Sequence, residues 1–131
     1  MKCRKFKLNH RQTDVTFNVH KISNTYSQFI LTVDVIDSPF GEGYTVVQEG
    51  SVTLVDGVSF IIQNGFYNFP LLGNVNYEYS YVGMGILFQP GETHIFTITS
   101  GTGRFLGCEG FIKYFINADG SRDITFKICT K

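Results

Sequence analysis

The strongest constraint on this sequence is a cluster of glycines late in the chain, at positions 101, 103, 107 and 110. A short predicted strand ending at 97–99 enters the cluster, and an alternating run from Phe111 to Ile116 leaves it. Glycine has no Cβ and accepts positive φ, so it turns a sharp strand corner without a steric penalty. We therefore expect a bent or bulged strand pair here, a feature that closes a curved sheet. A closed barrel of this size can hold one small apolar ligand.

Composition and charge exclude several classes of protein. The 131 residues are expected to form one domain, residues 1–131, which is long enough to bury an independent core. Basic and acidic residues number 11 each, so the chain lacks the broad positive field that non-specific nucleic-acid binding needs. No apolar run reaches the roughly 18 residues of a membrane-spanning helix. We therefore predict neither a nucleic-acid partner nor a membrane partner.

The cysteines and the N-terminus predict a compartment. Cys3, Cys108 and Cys129 are widely spaced and include no Cys-x-x-Cys pair, so the sequence indicates neither a metal site nor a disulfide. We expect all three to be reduced and to sit in the sheet as small apolar side chains. The N-terminus continues as the polar segment 9–12, without an apolar signal-peptide region. These observations predict a cytoplasmic location, with a mature form from which a leader has been removed as the alternative.

Period-two patterns separated by Gly, Asn, Asp and Pro run through the chain, and no helical periodicity is present. They predict an all-β fold of roughly eight or nine antiparallel strands in hairpin order, a barrel or a sandwich. The predicted strands lie at 2–8, 15–20, 29–35, 44–55, 58–69, 74–88, 93–99, 109–116 and 122–129. Gly50 is expected to mark a bulge, and Asp56-Gly57 fits a tight type I′ hairpin turn.

One predicted strand indicates an assembly. The run from Val58 to Phe69 is apolar on both faces, because Phe60, Ile61 and Ile62 are consecutive. Such a strand needs cover on the outside of the barrel as well as on the inside. We therefore predict a homo-oligomer, either a dimer or a trimer.

Three tyrosines are the first candidate site residues. Tyr77, Tyr79 and Tyr81 share one strand face by alternation. If that face points inward, three phenols line the cavity and offer hydroxyl groups to a ligand, and Tyr79 is a candidate catalytic residue. If it points outward, the rings pack on the outer wall or at a subunit interface. The sequence leaves both orientations open.

Two polar residues inside apolar strand patterns are further candidates. A buried Glu49 would have a raised pKa and would serve as a general acid or base, whereas a solvent-facing carboxylate would be structural. Gln63 is a candidate ligand contact beside it. The three histidines have no metal-ligand spacing, and no phosphate loop or hydrolase motif is present. We expect neither a metal nor a cofactor.

The stretch from Tyr77 to Phe115 resembles the allene oxide cyclase and dirigent protein superfamily. The matching residues are Ile98-Thr99-Ser100-Gly101-Thr102-Gly103-Arg104-Phe105, then Gly107 and Gly110, preceded by the aromatic-rich Tyr77-Glu78-Tyr79-Ser80-Tyr81. The resemblance implies an eight-stranded antiparallel, calycin-like barrel, commonly a trimer, that binds hydrophobic small molecules without a cofactor. Plant allene oxide cyclases carry a Tyr-Glu-Ile-Asn segment on an early strand. The nearest match here, Phe17-Asn18-Val19-His20, lacks the carboxylate.

Two functions follow from the sequence. The first is a barrel that binds a small hydrophobic ligand, with a cofactor-free cyclase or isomerase as its most specific form. Such an enzyme would act by holding a flexible substrate in one reactive geometry. The second is a non-catalytic structural or assembly barrel, filled by its own side chains. The 13 phenylalanines of the chain support this alternative.

Overall fold

The computed structural model describes residues 2–36, 43–83 and 88–130, and within them the chain is almost entirely β-strand. The strands are β1 (Lys2–His10), β2 (Val15–Lys21), β3 (Tyr26–Val35), β4 (Tyr44–Val55), β5 (Val58–Phe69), β6 (Gly73–Gly83), β7 (Thr93–Gly101), β8 (Glu109–Ile116) and β9 (Arg122–Thr130). Short 3-10 helices span Gln12–Asp14 and Gly103–Phe105. In the described part of the chain, no helix has the length and apolar character needed to cross a membrane.

All nine strands join one antiparallel sheet in the order β1-β9-β8-β7-β6-β5-β4-β3-β2. β1 and β2 form its two edges and run in the same direction, because each of the eight pairings between them is antiparallel. Only residues 11–14 separate the two strands, so β2 continues the path of β1 after a short turn. The all-β antiparallel prediction is confirmed. The strand count is nine, one more than the resemblance implies, because the first strand is split.

The sheet curls so that side chains from distant strands meet inside it. The ring of Phe6 on β1 lies 6.2 Å from that of Phe69 on β5, and His10 on β1 stacks on Tyr67 of β5 at 5.9 Å. Four strands separate β1 from β5 in the sheet order. A flat sheet could not bring these rings together, so the inward faces enclose one core.

The predicted strand ends agree with the structure in β4, β5 and β8, differ by one to three residues in β1, β2, β3, β7 and β9, and differ most in β6. β6 ends at Gly83 and does not reach Phe88, and residues 84–87 lie outside the described ranges. The predicted type I′ turn is confirmed, because Asp56 and Gly57 both have positive φ, +51° and +79°.

The glycine cluster seals one end of the barrel, here called the closed end and formed by loops 70–72 and 102–108. Gly103 has a φ of +60° and begins the second 3-10 helix. A Cβ at this position would overlap the carbonyl oxygen of Leu72 in the other loop. The backbone N–H of Arg104 donates to that same oxygen at 2.8 Å. The predicted corner is confirmed, and glycine is required because two backbones touch there.

The bulge lies elsewhere than expected. Pairing on both sides of Gly50 is continuous, so the prediction of a bulge there is wrong. Glycine is needed at that position because a Cβ would come within 2.7 Å of the Phe29 ring. The register shifts instead between Asn76 and Tyr77 on β6, which leaves Thr99 of β7 as the extra residue.

A disulfide joins the first and last strands. Cys3 on β1 and Cys129 on β9 are directly opposite in register and are covalently bonded. The prediction of three reduced cysteines is wrong for this pair, because 126 residues separate the two in sequence and only the curled sheet brings them together. Cys108 is free and buried, as expected. The cytoplasmic prediction relied on reduced cysteines and loses that support.

Aromatic and polar rings fill the half of the interior nearer the closed end. His10 is 2% exposed and lies among the rings of Tyr44, Tyr67 and Tyr114. The hydroxyls of Tyr67 and Tyr114 are hydrogen-bonded to each other. Burial, with a smaller contribution from Arg122, lowers the pKa of His10 to about 3, so the imidazole is neutral at pH 7. This half is filled by the chain itself.

Exchanging both Cys3 and Cys129 for serine should lower the free energy of unfolding by about 2–5 kcal/mol, because the bond restricts the unfolded chain. The disulfide also fastens β1, an edge strand, to β9, which is its one neighbour among the described strands of the sheet. Denaturant unfolding measures the change. A reductant should destabilise the wild type by a similar amount and leave the double variant unchanged. Three free thiols in unreduced, denatured protein would disprove the bond.

Alanine at Gly103 and at Gly107 provides a matched test of the closed end. Both glycines have positive φ, but a Cβ at Gly107 meets nothing within 4 Å. Gly107→Ala should therefore cost only the left-handed strain, about 1–2 kcal/mol. Gly103→Ala should cost at least about twice as much, because the Leu72 carbonyl must also move. Thermal and denaturant unfolding compare the two variants, and equal losses would refute the requirement for loop contact.

His10 should make stability depend on pH. Its folded pKa of about 3 lies below its ordinary value of 6.5, so the folded state binds fewer protons between these values. The contribution is complete above pH 6.5 and is lost as the pH falls toward 3, with a slope of at most about 1.4 kcal/mol per pH unit. His10→Phe keeps a ring and cannot titrate. Denaturant unfolding at several pH values should show a shallower slope for this variant, and an unchanged slope would exclude His10 as the cause.

Candidate functional site

Strand β6 points its three tyrosines into the barrel, the first of the two orientations that the sequence allowed. Tyr77 is 1% exposed, whereas Tyr79 and Tyr81 are half-buried. Gly65 lies opposite Tyr77 in register and leaves room for its ring, because a Cβ there would come within 2.7 Å of the phenol oxygen. All three phenols therefore belong to the interior.

A chain of buried hydrogen bonds links Tyr77 to two glutamines. The Tyr77 hydroxyl donates to Oε1 of Gln48 at 2.6 Å, and Nε2 of Gln48 donates to Oε1 of Gln63 at 2.6 Å. Gln48 is 7% and Gln63 4% exposed. The chain ends on Nε2 of Gln63, which is buried and has no hydrogen-bond partner among the described residues. A buried amide donor without a hydrogen-bond partner is energetically costly, so the Gln63 amide marks a candidate contact for a ligand.

A second polar chain runs from Tyr79 to Glu92. The Tyr79 hydroxyl lies 2.7 Å from Nδ1 of His94, and Nε2 of His94 lies 3.3 Å from Oε1 of Glu92. Tyr81 donates to the other carboxylate oxygen at 2.9 Å. The Gln89 backbone N–H, which donates to Glu92, is the largest cause that lowers the pKa of that carboxyl. The carboxylate is therefore charged at neutral pH.

The charge states of Glu92, His94 and Tyr79 determine which atom donates in each hydrogen bond of this second chain. Burial lowers the pKa of His94, so its ring is neutral and carries one N–H. That N–H is on Nε2 and donates to the charged Glu92, which leaves Nδ1 to accept from Tyr79. Burial also raises the pKa of Tyr79, so the phenol keeps its proton. The Tyr79 hydroxyl is thus committed to His94.

Phe88 covers this second chain. Its ring stacks on His94 with centroids 3.7 Å apart and meets Tyr79 edge-on at 6.1 Å. The guanidinium carbon of Arg122 lies 5.6 Å from the centre of the same ring. Phe88 therefore contacts both His94 and the Arg122 guanidinium.

An open space lies at the other end of the barrel, between β2 and the start of β9, and we call it the mouth cleft. Its volume is about 480 Å³. Its inner walls are formed by Val15, Phe17, Leu31, Phe88, Ile116 and Arg122. A void of about 20 Å³ shares four of these walls and reaches the glutamine pair, Gln48 and Gln63. The cleft thus extends from solvent toward the unpartnered amide.

Glu49 does not join this group. It is exposed on the outer face of β4 and lines a shallow depression of about 570 Å³ with Asn18, His20, Ile30 and Ile62. Its neighbour Gln48 points inward, as alternation along a strand requires. The structure therefore brings Gln63 and the three tyrosines together inside the barrel and places Glu49 outside it.

Sequence reasoning missed Arg122, His94 and Gln48, although one signal could have found them. Each occupies the alternation phase of buried apolar residues in its own strand. Arg122 is in phase with Ile124 of β9, and His94 with Phe96 of β7. A polar residue in the inward phase of a strand is a site candidate on the strength of alternation alone.

No protein-family model matches the sequence, and no curated protein matches it. Among solved structures, the chain is similar to pyocyanin demethylase, with a TM-score of 0.63 and 10% sequence identity. The similarity covers 98% of this chain and 100% of the other. It supports a barrel-like fold for the whole chain, and at this identity it supports the fold alone.

Proposed function

We propose that this protein binds a small apolar molecule in the mouth cleft. One observation carries the proposal: an apolar opening of about 480 Å³ leads from solvent into the barrel interior. Small-molecule sites typically have about 300–1,000 Å³, apolar walls and a few polar groups. The walls from Phe17, Leu31 and Phe88 have this character, and Arg122 and Gln63 supply the polar groups.

The closed half supports the alternative of a self-filled structural barrel. The rings around His10 pack against one another, so we place the ligand in the open half. The two proposals therefore differ only in whether the mouth cleft takes an occupant. The polar groups at its inner end favour the binding function, because they border open space and have no acceptor among the described residues. His10 Nε2 and the Tyr44 hydroxyl also have no described hydrogen-bond partner, but they lie among packed rings.

A cofactor-free cyclase or isomerase is the more specific form of the proposal. The cleft walls would hold a flexible substrate in one reactive geometry, which can lower a barrier by up to about 7–11 kcal/mol in well-oriented cases. The Tyr79 hydroxyl already donates its hydrogen bond to His94. Tyr79 would therefore contact a substrate only if this hydrogen bond were broken. Pyocyanin demethylase, by its name an enzyme acting on a small molecule, has a similar fold.

Two tryptophan substitutions on β2 distinguish the cleft from the outer depression. Val15 lines the mouth cleft and Val19 lines the depression, on the same strand. With the neutral fluorescent probe phenylnaphthylamine, Val15→Trp should weaken binding by at least about tenfold, because the new ring occupies the cleft. Val19→Trp should leave binding unchanged. Fluorescence titration gives the affinities, and thermal unfolding confirms that both variants fold.

Two results would contradict the proposal. If Val19→Trp abolished binding and Val15→Trp did not, the outer depression would be the site. If the wild type bound no apolar probe, the self-filled barrel would be the better description.

A further inference from the structure

Arg122 reaches into the barrel interior from the first position of β9. In register it lies between His10 on β1 and Ile116 on β8, each 2% exposed, so its side chain shares their inward face. Arg122 lines both the mouth cleft and the small void behind it. Arg122 is half-buried, and burial lowers its pKa. An arginine remains charged under these conditions.

No anionic group in the described part of the chain neutralises this charge. The ion pair there joins Arg11 to Asp14, and the neutral His94 donates a hydrogen bond to Glu92. The Arg122 guanidinium makes neither an ion pair nor a hydrogen bond with the described residues. It faces the Phe88 ring, which carries no net charge. The carboxylate at the cleft rim, Asp119, accepts hydrogen bonds from Ser121 instead. A desolvated cation without a counter-ion is unfavourable, and a bound anion would remove that cost.

Gln63 provides a second and independent donor. Its Oε1 is occupied by Gln48, and its Nε2 is buried without a partner. The same small void is lined by Gln63 and Arg122. Both side chains line the void and carry N–H donors without a described acceptor, so the ligand atom that they fit is an acceptor.

We propose that the mouth cleft binds an aromatic monocarboxylate with its carboxylate turned inward, between the Arg122 guanidinium and the Gln63 amide. This inference rests on the proposed function and names its ligand class. A carboxylate accepts two parallel N–H bonds from one guanidinium, and a single cation matches a single negative charge.

The walls account for the aromatic part of the ligand. The void of about 20 Å³ suits a small polar group, whereas a ring must remain in the cleft of about 480 Å³. There it would lie against the rings of Phe17 and Phe88 and the side chain of Leu31. Apolar walls beside a cationic inner end favour a molecule with an apolar body and one anionic end.

The test compares naphthoate with its neutral isostere naphthamide by calorimetric titration. The wild type should bind naphthoate at least about tenfold more tightly than naphthamide. Arg122→Met should lose that preference, because naphthoate loses a charged bidentate partner and its affinity falls further than that of naphthamide. Arg122→Lys should show an intermediate preference, because it keeps the charge and lacks the planar fork. Lys127→Met removes an exposed cation from the outer face of the same strand and should change neither affinity.

Stability gives a readout that a merely structural arginine would not produce. Without ligand, Arg122→Met should be at least as stable as the wild type, because the substitution removes an uncompensated charge from a desolvated site. Naphthoate should raise the melting temperature of the wild type more than that of the variant. A less stable variant with unchanged naphthoate affinity would overturn the inference and assign Arg122 a structural role.

The remaining outcomes separate this inference from the proposed function. Equal affinity of the wild type for naphthoate and naphthamide would overturn the anionic ligand class and leave the apolar site in place. If the wild type bound neither of these probes nor phenylnaphthylamine, both proposals would fail. A naphthoate preference that survives in Arg122→Met would locate the anion elsewhere and overturn the role of Arg122.

Discussion

The break in the first strand at residues 11–14 determines where this barrel opens. β1 pairs with β9 and β2 pairs with β3, so the two edges of the sheet are joined by the chain itself, without a ladder of hydrogen bonds between them. Backbone pairing would hold neighbouring strands about 5 Å apart, and the unpaired junction is free of that limit. The mouth cleft lies at this junction, with Val15 and Phe17 on one side and Arg122 on the other.

The same break explains why the two halves of the interior differ. Toward the closed end, β1 completes the sheet and brings Phe6 and His10 against β5. Rings then fill the enclosed space, and the contact between Gly103 and Leu72 holds the end loops together. Toward the open end, β2 has no strand partner on its outer side among the described residues, and the walls stay apart. A single barrel therefore has a packed half and a half with space for a ligand.

The fold was largely predictable from the sequence, because alternation and turn chemistry are local. The strand ends at Tyr44, Val55 and Phe69 and the turn at Asp56-Gly57 follow from short windows of sequence. The disulfide, in contrast, joins cysteines 126 positions apart. No local pattern reports such a pairing, because only the curled sheet brings the two strands together.

The site was harder to predict because its unsatisfied groups are not the residues with the most familiar chemistry. Glu49 and the tyrosines are obvious candidates as acids, bases and phenols. Arg122, in contrast, is the first residue of its strand and resembles an ordinary surface cation in the sequence. Arg122 lies two residues before the buried Ile124 on β9, so the alternation of the strand predicts that its side chain points inward. Phase reports which way a side chain points, and in a barrel that decides whether it can meet a ligand.

The two polar systems of the open half differ in whether their hydrogen bonds are complete. The chain through His94 is satisfied within the protein: a charged carboxylate, a neutral ring and a phenol each meet a partner. Such a network supports the position of Phe88 and has few unsatisfied groups to offer a ligand. The group formed by Arg122 and Gln63 has donors and lacks acceptors among the described residues. Binding energy comes from groups that gain hydrogen-bond partners when the complex forms. The group of Arg122 and Gln63 therefore marks the binding site better than the hydrogen-bonded chain through His94.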